Sequence, residues 1–153
     1  MTKIMPCLWF DDRIDDAIDF YTATFKEARI LSRVRQDAQT PSALATLELA
    51  GHRFMLLNGG PRYPFTEAVS FVIDCADQAE VDYFWHAFVN GGGAESMCGW
   101  CKDRFGLSWQ VVPRALYDTV AGSDPAGARR ATEAMFKMKK LIVADLEKAY
   151  AGG

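Results

Sequence analysis

No apolar run in this sequence approaches the ~20 residues needed to cross a bilayer, which excludes a helical membrane span. The amino-terminal stretch Met1 to Phe10 has a short apolar run, but Asp11 and Asp12 follow at once, and it lacks the h-region and small-residue cleavage site of an export signal. The expected compartment is therefore the cytoplasm, where Cys7, Cys75, Cys98 and Cys101 are reduced thiols. A strong excess of one charge is also missing. The net charge is −3 with both signs mixed along the chain, so there is no basic stripe to follow phosphates, and nucleic acid is not an expected partner. Histidine is scarce: His52 sits in an expected turn and His86 on an expected helix.

Half of the 153 residues are apolar and 24% are charged, an ordinary globular composition. A chain of this length can bury roughly two-thirds of its unfolded surface without a disulfide. Ile4 to Phe10 predicts a buried strand. Ile14, Ala17, Ile18, Tyr21 and Phe25 then recur at helical spacing, with Asp11 or Asp12 expected to cap the first turn. Three extended segments follow, at about 29–35, 43–49 and 53–58, separated by turn residues. Gly59 to Phe65 is a connector whose Tyr63 and Phe65 could fold over a pocket.

The pattern then begins again. Ala68 to Asp74 predicts a strand, and Asp77 with Glu80 opens a helix in the manner of a capping box, with Val81, Phe84, Trp85 and Phe88 as its buried stripe. Gly91 to Gly93 ends it. The stretch Ile18 to Phe25 lines up with Val81 to Phe88, and the same 63-residue shift sets Phe10-Asp11 over Ile73-Asp74. Two strand-helix units in one register suggest duplicated modules, each a strand, a helix and three more strands. The last three strands of the second module lie between about Ala94 and Pro113. Beyond Pro113, Ser123-Asp124-Pro125 starts a helical region. Ala131, Met135, Met138, Ile142, Leu146 and Ala149 are expected along one side of a long helix that packs on the domain or on a second subunit.

Particular words within these modules are distinctive: Leu8 to Asp11 with Ala17 to Tyr21, Gly51 to Asn58, Glu67 to Phe71, Cys98 to Trp100, Lys102 to Pro113, and Met135 to Leu141. They resemble those of the glyoxalase/bleomycin-resistance/dioxygenase superfamily, also called vicinal oxygen chelate. Within it they resemble the PhnB-like family, labelled 3-demethylubiquinone-9 3-methyltransferase. The resemblance implies an α+β fold of two βαβββ modules forming curled mixed sheets around a cleft, plus a C-terminal helical extension. The expected organisation is a single domain over 1–153, with module one at 1–60, module two at 66–113 and the extension at 114–153. It also implies a homodimer, and a cleft that in many members of the wider superfamily holds a divalent metal with His and Glu side chains.

At the positions matching those ligands this chain carries Met5 to Cys7, Asn58, Ser70 and Gln110. Amide and hydroxyl oxygens are poor ligands for zinc, nickel or iron, so neither a metal nor any other cofactor is expected. Strand alternation gives an independent reading. Ser70, Ser108 and Gln110 fall on one side of their strands and the apolar Phe71, Trp109 and Val111 on the other, which suits the helix. The 63-residue shift adds Cys7 and Trp9 as counterparts. The expected ligand pocket is thus Cys7, Trp9, Asn58, Ser70, Trp100, Ser108 and Gln110, an apolar cleft with a few convergent polar groups that suits a small apolar or aromatic molecule. The alternatives are a metal-dependent glyoxalase- or dioxygenase-type enzyme, and a non-catalytic protein that sequesters a ligand as drug-resistance proteins do. Cys98 and Cys101 have the spacing of a redox dithiol or half a zinc site, but the chain after them enters a strand, so they are read as hairpin thiols. Gly91 to Gly93 follows a helix and lacks the strand-to-helix context of a nucleotide-type loop, which argues against methyl transfer.

Overall fold

The computed structural model describes residues 3–153. The chain forms two compact units, Met1–Phe65 and Thr66–Gly153. In the first, β1 (Cys7–Phe10) leads to α1 (Ile14–Thr24), and then to β2 (Arg29–Val34), β3 (Leu44–Leu49) and β4 (His52–Asn58). The strand order is β1-β4-β3-β2, with β1 parallel to β4 and the other pairs antiparallel. Leu8, Phe10, Ala45, Leu47, Phe54 and Leu56 are buried, as are Ile14, Ala17, Ile18 and Tyr21 of α1. The period-two and period-3.6 apolar patterns meet in one core.

The second unit repeats this topology. β5 (Ser70–Cys75) leads to α2 (Gln78–Trp85), which runs into a π-helical turn at His86–Asn90, and then to β6 (Ala94–Glu95), β7 (Trp100–Lys102) and β8 (Ser108–Pro113). The order is β5-β8-β7-β6, again with the first and last strands parallel. The two matched words are therefore the helices of two copies of one βαβββ motif, each in an α+β arrangement. Asp77 caps α2 as expected: its carboxylate accepts from Glu80 N, and Glu80 Oε2 accepts from Ala76 N.

The cap of α1 differs from expectation. Arg13 occupies the N-cap position without a capping bond of its own, and Ile14 N instead donates to Asn58 Oδ1 at 3.1 Å, from the end of β4. Neither Asp11 nor Asp12 is the cap residue, because a cap supplied from a neighbouring strand serves the same orphan N–H. His52 opens β4 rather than sitting in the turn before it.

The long C-terminal helix is also not continuous. After α3 (Arg114–Val120), α4 (Pro125–Met135) starts at Asp124, whose carboxylate accepts from Ala126 N and Gly127 N. The chain then leaves helical geometry until α5 (Val143–Ala151). The cause is tertiary. The carbonyls of Met138 and Lys139, which a helix would use internally, accept from Cys98 N and Gly99 N at 2.8 Å each. Gly99 has φ +83°, and a Cβ there would lie 2.9 Å from Leu141 Cδ1 and 3.0 Å from Val111 O, so only glycine admits this approach. Leu141 and Leu146 are fully buried with Val112 and Leu116. Gln78 of α2 completes the join: its Nε2 donates to Leu141 O and its Oε1 accepts from Val143 N, the first residue of α5.

Among the described residues, no helix is long and apolar enough to cross a membrane.

Candidate functional site

Each sheet has one face turned to its helix and one turned away. In the second unit, Trp109 stacks on Phe88 with ring centres 4.8 Å apart, and Phe71 lies 5.7 Å from Trp109. Cys101, in register with Trp109, belongs to the same packed face. The alternate residues form the opposite face. Ser70, Ser108 and Lys102 make one row across β5, β8 and β7, and Val72, Gln110 and Trp100 make the next. Ser70, Trp100, Ser108 and Gln110 are thus brought together.

Gln110 Nε2 donates to Ser70 Oγ at 2.9 Å. Ser108 is 1% exposed, and among the described residues its Oγ has no hydrogen-bond partner. An unpartnered buried hydroxyl is uncommon, since leaving one unsatisfied costs on the order of 1–3 kcal/mol. Val72 is half exposed on this face. At its edge Lys102 Nζ meets Glu67 Oε1 at 2.5 Å; the hydrogen bond and charge of Lys102 hold the Glu67 carboxyl below its ordinary range. Neither Lys102 nor Glu67 is among the residues that the sequence patterns expect in the pocket. The signal was there, because Lys102 is two residues after Trp100 and shares its side of β7.

In the first unit, Cys7 and Trp9 pair with Met55 and Leu57 on the face away from α1. Cys7 is exposed. The Trp9 Nε1 donates to Gly60 O at 2.8 Å, its ring packs edge-on to Tyr63, and a Cβ on Gly59 would fall 2.2 Å from it. The connector thus grips Trp9 closely, and Phe65 packs edge-on against Phe10. Asn58 does not share this face. It is in register with Phe10, on the α1 side, and both ends of its amide are engaged: Oδ1 takes Ile14 N, and Nδ2 donates to Ser42 O at 2.8 Å. Alternation from the buried Phe54 and Leu56 carries Asn58 to that side.

The donor set does not fit a transition metal. Asn58 is committed to backbone groups, Gln110 and Ser70 bond each other, and among the described residues no group of three or more His, Cys, Asp or Glu side chains could hold a metal ion. All four cysteines are free, and burial pushes the Cys101 and Cys75 thiols up to about 12, so neither ionises near neutrality.

The family model for 3-demethylubiquinone-9 3-methyltransferase matches residues 2–112. The chain belongs to this family. Its match ends within β8, so α3, α4 and α5 lie beyond the family's common part. Among solved structures, the chain is similar to a PhnB protein from Bacillus cereus bearing the same family name. The identity is 29%, the TM-score 0.67, and the match covers 73% of this chain and 99% of that one. Protein PA1353 from Pseudomonas aeruginosa matches at 21% identity and TM-score 0.58, covering 74% and 98%. The fosfomycin resistance protein FosX from Listeria monocytogenes matches at 12% identity and TM-score 0.55, covering 74% and 93%. The last two share the fold, which is that of the vicinal oxygen chelate superfamily. No curated protein matches the chain.

Proposed function

We infer that this protein binds a small, partly apolar or aromatic molecule on the sheet face that carries Ser70, Trp100, Ser108 and Gln110, without a metal. The observation that carries the reading is the pairing of Gln110 with Ser70 beside the buried, unpartnered hydroxyl of Ser108, on the face that α2 leaves uncovered. A few directed polar groups among apolar ones are the usual form of a small-molecule site. Trp100 supplies a flat apolar surface and Gln110 both a donor and an acceptor. Cys7 and Trp9 occupy the corresponding positions on the first unit's own sheet, and Asn58 does not. The family name is not carried over to the reaction. Each sheet is a four-stranded mixed one, unlike the doubly wound parallel sheet that binds nucleotide-type cofactors.

The reading includes a homodimer in the cytoplasm. Its support is β2, an edge strand with Ile30, Leu31 and Val34 all exposed, a surface that a second copy can cover. A thermal-shift screen of metabolites, with each hit then checked for chemical change, tests the proposal. Hits that raise the melting temperature and return unaltered support a binding protein, altered hits an enzyme. Hits that are unaffected by Gln110→Ala and Trp100→Ala would remove this face from the site.

A further inference from the structure

The polar row at the start of β8 carries more than neutral groups. Lys102 lies across β8 from Ser70 with Ser108 between them, and it is the cation among the described strand residues of this face. Its partner Glu67 comes from the segment leading into β5, three residues before Ser70. The Lys102–Glu67 ion pair therefore spans the start of β8, where the Ser108 hydroxyl is enclosed without a partner. The pair itself is weakly held: the side chains are 38% and 63% exposed, so solvent screens their attraction. Glu67 is thus a carboxylate that the ligand's own carboxylate can replace.

We propose that Lys102 and Ser108 form the anion end of this site, and that the ligand is an aromatic or apolar acid whose carboxylate exchanges with that of Glu67. The ligand carboxylate accepts from Lys102 Nζ and from the Ser108 hydroxyl, and Glu67 turns to solvent. The body of the acid then lies along the next row, over Trp100 and Val72, within reach of Gln110. No covalent step is involved. The inference rests on the reading of this face as a small-molecule site, and it adds the charge of the ligand.

The test is isothermal titration calorimetry of the full chain with matched probes: naphthoate, naphthamide and naphthylmethylamine, one ring system with an anionic, a neutral and a cationic head. The acid is expected to bind most tightly, and more weakly as salt is raised. Lys102→Met should cut acid affinity about tenfold, as loss of a charge-assisted hydrogen bond does, and leave the amide unchanged. Glu67→Gln should have the opposite sign, raising acid affinity roughly two- to fivefold by removing the internal competitor. Ser108→Ala should weaken the acid without lowering the melting temperature, since its hydroxyl has no protein partner to lose. Amide binding equal to that of the acid, with both lost in Gln110→Ala, would overturn the anion end while leaving the small-molecule site standing. Binding of all three probes that ignores Gln110, Trp100 and Lys102 alike would overturn both.

Discussion

Asp103 is the residue on which the most distinctive word of the sequence turns. It is 2% exposed, with Oδ1 accepting from Phe105 N and Leu107 N and Oδ2 accepting from Trp109 Nε1 at 2.9 Å. The turn from Asp103 to Leu107 between β7 and β8 is thus closed on one carboxylate, which sets Trp109 against α2 and by alternation turns Ser108 and Gln110 the other way. Asp103→Ala leaves Leu107 N and Trp109 Nε1 without that acceptor and should cost roughly 3 kcal/mol or more in chemical denaturation. Asp15 makes a second prediction. Burial would raise its pKa, but hydrogen bonds from the Ser42 hydroxyl and N–H, with Arg33, outweigh that and lower it. A carboxyl whose folded pKa is lowered contributes stability that is fully present above its unfolded value, 3.8, and lost as pH falls through the folded one. The Asp15→Asn variant should therefore be less stable than wild type at neutral pH and show a smaller further loss below about pH 4 in pH-dependent denaturation.

At the scale of elements, the two βαβββ units were legible because their signals are local. The helix stripes, the alternation in β5 and β8 and the repeated words all sit within a few residues of one another. What local pattern could not carry was any choice made by a distant partner. Asn58 resembles a pocket residue by likeness of position, whereas the alternation of Phe54 and Leu56 points it toward α1. The stripe from Ala131 to Ala149 is helical in period, yet Cys98 and Gly99 take the carbonyls of Met138 and Lys139 and interrupt it. Gln78 then restarts the helix from outside. Gln78→Ala should release the amide of Val143 to fast hydrogen exchange and destabilise α5 by about 1 kcal/mol, leaving exchange in β5 and β8 unchanged.

For the whole molecule, the exposed apolar edge at β2 predicts self-association, and sedimentation equilibrium should give twice the chain mass. Val34→Lys places a charge on that edge, where Val34 is half exposed, and should shift the equilibrium to monomer without lowering stability by more than about 0.5 kcal/mol. The central claim is that the face bearing Ser70, Ser108 and Gln110 is kept for a ligand rather than for folding, and one paired measurement reaches it directly. The thermal-shift response of Gln110→Ala to the best-binding acid is compared with its unliganded melting temperature. The ligand response should be lost while the unliganded value falls by only a few degrees, as loss of one part-buried hydrogen bond implies. An undiminished response, or an unfolded variant, would contradict it.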